Sequence, residues 1–243
     1  MLGQRHRIAL PLAIGFDFDH TLGIDNKLER VALLQVGRRA FEAGGTSPGS
    51  LVSETTAIDK VLLEQRAGRR TIDDAVAGFV RNRGIADPLP LVAFFRTFCL
   101  DNARAFIVPV PGAPEALRAI QSRGIRCAIL TNGWSPLQEL KAECVGFAGP
   151  VLVSASIGTE KPKRRAFQHL CDTLASAPSQ TWYVGDNPIT DVLGSLNAGL
   201  TAVWFDAEGV PYPRSQKKAA KVIHSFSELQ SLLNSLKERS AST

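Results

Sequence analysis

The chain has 243 residues, 44% of them hydrophobic, which is enough to bury a sizeable core in one large domain or in a core carrying a smaller insertion. Its formal net charge is +5 and its isoelectric point about 9.2. The basic residues fall in small scattered clusters near Arg38, Arg69 and Lys217, with no long stripe interleaved with aromatics, so nucleic acid is not an expected partner.

The opening residues MLGQRHRIALPLAIGF combine a basic head with an apolar run, as a signal peptide does. That run leads directly into Asp17 and Asp19 with no polar cleavage region, and it reads as a buried first strand. No segment reaches the length needed to span a bilayer, and no membrane association is expected. From about Gly23 to Arg104 the pattern turns helical. KLERVALLQVGRRAFEAG, SETTAIDKVLLEQRAG, TIDDAVAGFVRNRG and LPLVAFFRTFCLDNARAF carry apolar residues three and four apart. Ile58, Val61 and Leu62 share one face, as do Ile72, Val76 and Phe79. This predicts a helical domain over 23–104, inserted in an α/β core made of 1–22 and 105–243.

Strand-length apolar runs then recur at Ile125–Leu130, Pro150–Ala155, Thr181–Gly185 and Leu200–Phe205, each bounded by Gly, Pro or Asn. The segments between them are helical: PGAPEALRAIQSRG, SPLQELKAECVG and KPKRRAFQHLCDTLA. Alternation of this kind predicts an α/β fold, a doubly wound parallel sheet covered on both faces. The last residues, SLKERSAST, are expected to fray. The four cysteines, Cys99, Cys127, Cys144 and Cys171, are far apart and form no C-x-x-C pair. They read as free thiols in a reducing compartment, and a cytoplasmic protein is expected.

In an open α/β sheet, ligands bind beyond the carboxyl ends of the strands. Asp17, Asp19 and Thr21 follow the first run; Thr131, Asn132 and Gly133 follow the second; Lys161 follows the third, past SIGTE; Asp186 and Asp191 follow the fourth. Taken singly, most of these are ordinary turn residues. The aspartate pair is different, because carboxylates at the end of a buried strand are costly without a partner. Together the residues suit phosphoryl transfer. Asp17, Asp186 and Asp191 offer hard oxygens for magnesium, and Thr131 and Lys161 can hold phosphate oxygens by hydrogen bond and by charge. A carboxylate can attack phosphorus to form an acyl phosphate. Asp17 and Asp19 project the same way from an extended chain, with Phe18 turned into the core.

FDFDHTL, ILTNG, EKPK and VGDNPITD, in that order and spacing across essentially the whole chain, resemble the motifs of the haloacid dehalogenase superfamily of phosphohydrolases. The resemblance implies that Asp17 is nucleophile and metal ligand. It implies that Asp19 is the general acid/base, with its backbone carbonyl on magnesium. Thr131, Asn132 and Lys161 would bind phosphate, Asp186 would bind the metal, and Asp191 would bind it or stand behind a ligand. The inserted helices would be the family's cap. His20 stands where many relatives carry glycine; its imidazole could touch substrate or fill the hinge, and the hinge is the favoured reading. Asp25 comes one place later than the acidic residue common in relatives and receives no role.

The expected function is therefore a magnesium-dependent phosphatase acting on a small phosphorylated metabolite. Alternatives are a phosphomutase, a 2-haloacid dehalogenase on the same scaffold, or a non-catalytic phospho-ligand sensor. The intact Asp19 and Asp186 speak against the dehalogenase, and the completeness of the motifs speaks against the sensor. Arg38, Arg39, Arg66, Arg69, Arg70, Arg81 and Arg83 are candidates for a second anionic group of the substrate.

Overall fold

The computed structural model describes residues 9–47, 49–66, 69–209, 211–213 and 216–241. Residues 1–8, which hold the basic head of the signal-like opening, lie outside them. The first strand, β1 (Ala13–Phe16), is followed by a short strand β2 (Gly23–Ile24). Four helices come next: α1 (Leu28–Glu42), α2 (Leu51–Arg66), α3 (Ile72–Arg81) and α4 (Leu89–Phe106). The chain returns through β3 (Val108–Pro109), α5 (Ala113–Gln121), β4 (Arg126–Thr131), α6 (Leu137–Cys144) and β5 (Val151–Val153). After a single turn α7 (Ser154–Ile157) come α8 (Arg164–Thr173) and β6 (Thr181–Gly185). A π-helical turn at Pro188–Leu193 leads into α9 (Gly194–Ala198), β7 (Thr201–Phe205), β8 (Lys221–Ile223) and α10 (Phe226–Ala241).

Among the described residues one six-stranded sheet runs β5-β4-β1-β6-β7-β8, with every pairing parallel. The chain moves outward from β1 through β4 and β5, then crosses back to β6 on the other flank. That reversal at β1 is the switch point where such sheets open a crevice. Side chains alternate across the sheet. Ile14 and Phe16 join one buried cluster with Ile129, Val184 and Phe205; Ala13, Leu130 and Tyr183 join another beneath Phe167 and Leu170 of α8.

The first cluster continues without a break into α1–α4 through Phe18, Leu22, Leu28 and Phe95. Ile58, Val61, Leu62, Ile72, Val76 and Phe79 are all buried there, as their spacing requires. α3 is begun by local chemistry, for Thr71 accepts the Asp74 N–H at 3.1 Å and caps it. The chain enters and leaves the helical segment through β2 and β3, which pair antiparallel. α4 continues to Phe106, two residues past the Arg104 boundary read from the sequence.

Two expectations are corrected. β8 adds a sixth strand that the sequence reading omits, and SLKERSAST does not fray as a whole, because α10 continues to Ala241. Phe226, Leu229 and Leu233 on that helix are buried. No described helix is long and apolar enough to cross a membrane. Cys99, Cys127 and Cys171 are buried, Cys144 is half-buried, and all four are free thiols.

Candidate active site

The carboxyl ends of β1, β4 and β6 meet in a cavity of about 160 Å³ lined by Asp17, Asp19, Thr131, Asn132, Lys161 and Asp186, among others. Parallel pairing dictates this convergence: Phe16 stands opposite both Ile129 and Val184, so the residues just beyond each strand arrive at one level.

Lys161 is the hub. Its Nζ donates to Asp17 Oδ1 at 2.6 Å, to Asp191 Oδ1 at 2.7 Å and to the Tyr183 hydroxyl at 3.0 Å. An ammonium has three protons, and all three are engaged. The Tyr183 hydroxyl in turn donates to Leu130 O at 2.7 Å. The lysine's backbone is fixed as well. Lys161 N donates to Asn132 Oδ1 and Asn132 Nδ2 donates to Lys161 O, both at 2.9 Å. The amide of Asn132 thus holds the lysine loop from inside the site.

The turn after β6 is organised around Asn187. Its side chain accepts the N–H groups of Ile189 and Thr190, and its own N–H donates to Asp191 Oδ2 at 2.9 Å. Asp191 is thereby buried and aimed back at Lys161. Gly185 is needed for room, since a Cβ there would lie 2.5 Å from the Asp191 carboxylate. The Trp204 indole donates to Asp186 O at 2.7 Å and pins the neighbouring position.

Oxygens of Asp17, Asp186 and Asp191 lie within 4.8 Å of one another. Burial pushes the Asp17 carboxyl up to about 7 against the pull of Lys161, with Asp191 and Asp19 adding to the rise. Asp186 is pushed up to about 9, first by burial and then by the Asp17 and Asp191 charges. Burial works against the Lys161 charge too, but Asp17 and Asp191 hold that ammonium well above its usual range. Three carboxylates face one ammonium, so the cluster is short of positive charge. A hard divalent cation fits that donor set, and Asp17, Asp186 and Asp191 are the residues present to hold it.

Asp19 is held separately, by a second lysine absent from the motif reading. Lys141 Nζ lies 2.9 Å from Asp19 Oδ1 and 3.3 Å from Asp25 Oδ2, and Gln138 Nε2 lies 3.3 Å from Asp19 Oδ2. Asp25, left without a role by the sequence, therefore belongs to the Asp19 network. Burial alone would lower the Lys141 ammonium, but Asp19, Glu29 and Asp25 together raise it above its usual range. The signal available in the sequence was a lysine and a glutamine one turn apart on the apolar side of α6.

His20 adopts a left-handed backbone at φ 61°, inside a turn where Thr21, Leu22 and Gly23 all donate to Phe18 O. A glycine takes that conformation without strain, whereas a histidine there is held by the surrounding hydrogen bonds. The His20 ring is exposed, 3.8 Å from Glu208, and lines the cavity that holds Asp17 and Asp19 and two others. Of the arginines proposed for substrate, Arg83 is buried and paired with Glu54, whereas Arg70 faces a cleft of about 400 Å³ together with Arg96 and Trp134. The Arg66 side chain lies outside the described residues.

A family model for haloacid dehalogenase-like hydrolases matches residues 12–199, and the chain belongs to that family. The phosphoserine phosphatase of Thermus thermophilus is 34% identical over 174 residues, covering 70% of this chain and 66% of that protein. The crystal structure of a HAD phosphatase from Thermococcus onnurineus shares the fold at a TM-score of 0.67 and 24% identity, covering 91% of this chain and 97% of that one. A 2-haloacid dehalogenase from Pseudomonas syringae does so at 0.68 and 21%, covering 91% and 97%. The chain spans 60% and 66% of the length of the first two curated relatives it matches, the second being the Thermus enzyme.

Proposed function

We propose that the protein is a cytoplasmic, magnesium-dependent phosphatase that hydrolyses a small phosphorylated metabolite through a phospho-aspartate on Asp17. The observation that carries this reading is the sharing of one cavity by Asp17 and Asp19, each beside its own lysine, with Asp186 and Asp191 adding carboxylates that call for a cation. A dehalogenase on this fold needs the nucleophile but neither the acid/base nor the cation.

Asp17 Oδ attacks phosphorus, the ester P–O bond breaks, and Asp19 passes its proton to the departing alkoxide. Asp19 then takes a proton from water, whose oxygen attacks phosphorus and returns Asp17 as a carboxylate. Thr131 and Lys161 face the phosphoryl oxygens, and Lys161 aims Asp17 and pulls its carboxyl toward the ionised form. Asn132 supports them by holding the lysine loop. Asp17, Asp186 and the Asp19 backbone carbonyl would hold magnesium, with Asp191 binding it or standing behind a ligand, and the ion would neutralise phosphoryl charge. Residues 23–104 are proposed as a cap domain that covers the site and chooses the substrate without supplying essential chemistry. Buried free thiols agree with the proposed compartment.

The test is phosphoenzyme trapping. Asp19→Asn should still let an aryl phosphate phosphorylate Asp17, since aryl oxides leave without a proton. The next step should stall, giving a burst of phenol and added mass on the peptide containing Asp17. Asp17→Asn should show neither burst nor turnover, and a chelator should abolish wild-type activity until magnesium is restored. Turnover of alkyl phosphates by Asp19→Asn at the wild-type rate would remove its assigned role.

A further inference from the structure

Lys141 and Gln138 lie outside every motif that marks the site, yet both are buried on the inner face of α6, at 0% and 3% exposure. An ammonium without solvent contact is strongly disfavoured unless its charge is matched, and an aliphatic side chain would pack at that position more cheaply. The match is supplied by Asp19 and Asp25 in direct contact and by the buried Glu29 carboxylate nearby, with Gln138 reaching the other Asp19 oxygen. Two donors from one helix thus grip both oxygens of a single carboxylate.

The chain clears a path for this grip. A Cβ on Gly133 would lie 2.4 Å from Gln138 Nε2 and 2.8 Å from its Cγ. The glycine after Thr131 and Asn132 therefore serves the passage of Gln138 toward Asp19. Asp25 stands between β2 and α1, where the helical segment departs, and its other oxygen accepts the Lys27 N–H at 3.0 Å. Lys141 therefore joins Asp19 to the root of that segment.

We propose that Lys141 and Gln138 are positioning residues for Asp19, fixing the orientation of its carboxylate, and that Lys141 couples that orientation to the root of the helical segment through Asp25. This rests on the phosphatase reading above. The test uses Lys141→Met and Gln138→Met in the full chain, each near in volume to the residue replaced. With Lys141→Met, kcat/KM for an alkyl phosphate should fall about 10²-fold, the scale of lost general acid–base assistance, while kcat/KM for an aryl phosphate stays within about threefold. A burst of aryl oxide should appear, because the second step needs Asp19 on every substrate. Equal losses on both esters without a burst, or no loss on either, would overturn the proposal. Should Lys141→Met not fold, Gln138→Met keeps the ion pair and should show the same selectivity at about tenfold. A crystal structure of the variant gives a readout independent of activity: the Asp19 carboxylate should leave its wild-type rotamer, and an unmoved carboxylate overturns the idea. If the wild type hydrolyses neither ester, the phosphatase reading falls and the crystallographic result alone decides the positioning role.

Discussion

Asp17, Asp186 and Asp191 crowd around the single Lys161 ammonium, and that imbalance has a thermodynamic signature. Without metal, burial raises Asp17 to about 7 and Asp186 to about 9 from the ordinary carboxyl value of 3.8. Across that interval the native state binds protons that the unfolded chain has released, so stability falls as pH rises from about 4 toward about 9. Asp186→Asn removes one of these groups. Melted in chelator, it should be more stable than the wild type, with a gap that widens over this window and levels above it; a gap independent of pH would contradict the assignment. Gly185→Ala tests the neighbouring close approach. Its new Cβ should push Asp191 off Lys161 and lower kcat about tenfold or more, equivalent to about 1.4 kcal/mol, with the circular dichroism spectrum unchanged.

Among the elements, those legible in the sequence were the ones whose burial pattern is local. β4, β6 and β7 are continuous apolar runs closed by turn residues, and α1–α4 show their faces in the three-and-four spacing. β8 was not legible, because only Ile223 of its three residues is buried and the strand is defined by its pairing with β7. α10 was misread at its end because its polar last turn was judged alone, whereas Phe226, Leu229 and Leu233 anchor the helix from its other end. Leu233→Ala should accordingly cost about 2–5 kcal/mol in urea unfolding, the range for an emptied core leucine site. A loss below 0.5 kcal/mol, the ordinary level for surface substitutions, would mean that the helix is not part of the core.

For the whole molecule, the site residues were readable because topology sends every strand's carboxyl end to one edge, so sequence order and strand ends suffice to assemble them. Partners that arrive from afar were harder to read: Lys141 lies 122 positions from Asp19, and although its place with Gln138 on the apolar side of α6 marks it as buried, that pattern does not name the carboxylate it meets. The helical arginines divide in the same way. Arg83→Met should break the buried pair with Glu54 and destabilise the chain by about 3–5 kcal/mol. Arg70→Met, which removes an exposed side chain in the cleft lining 3.4 Å from Glu64, should leave stability within about 0.5 kcal/mol and raise KM for a dianionic metabolite while sparing a small aryl phosphate. Equal effects of Arg70→Met on both esters would place that arginine outside substrate recognition. The pairing of β2 with β3 bears on how such a molecule can change. Gly23 stands opposite Pro109 and Ile24 opposite Val108, so the segment between them starts and finishes at hydrogen-bonded neighbours about 5 Å apart. It is a loop that closes on its own base. A segment of another length could be carried on that base while strand order and register stay as they are, provided that Asp25 at its root is kept as a partner of Lys141.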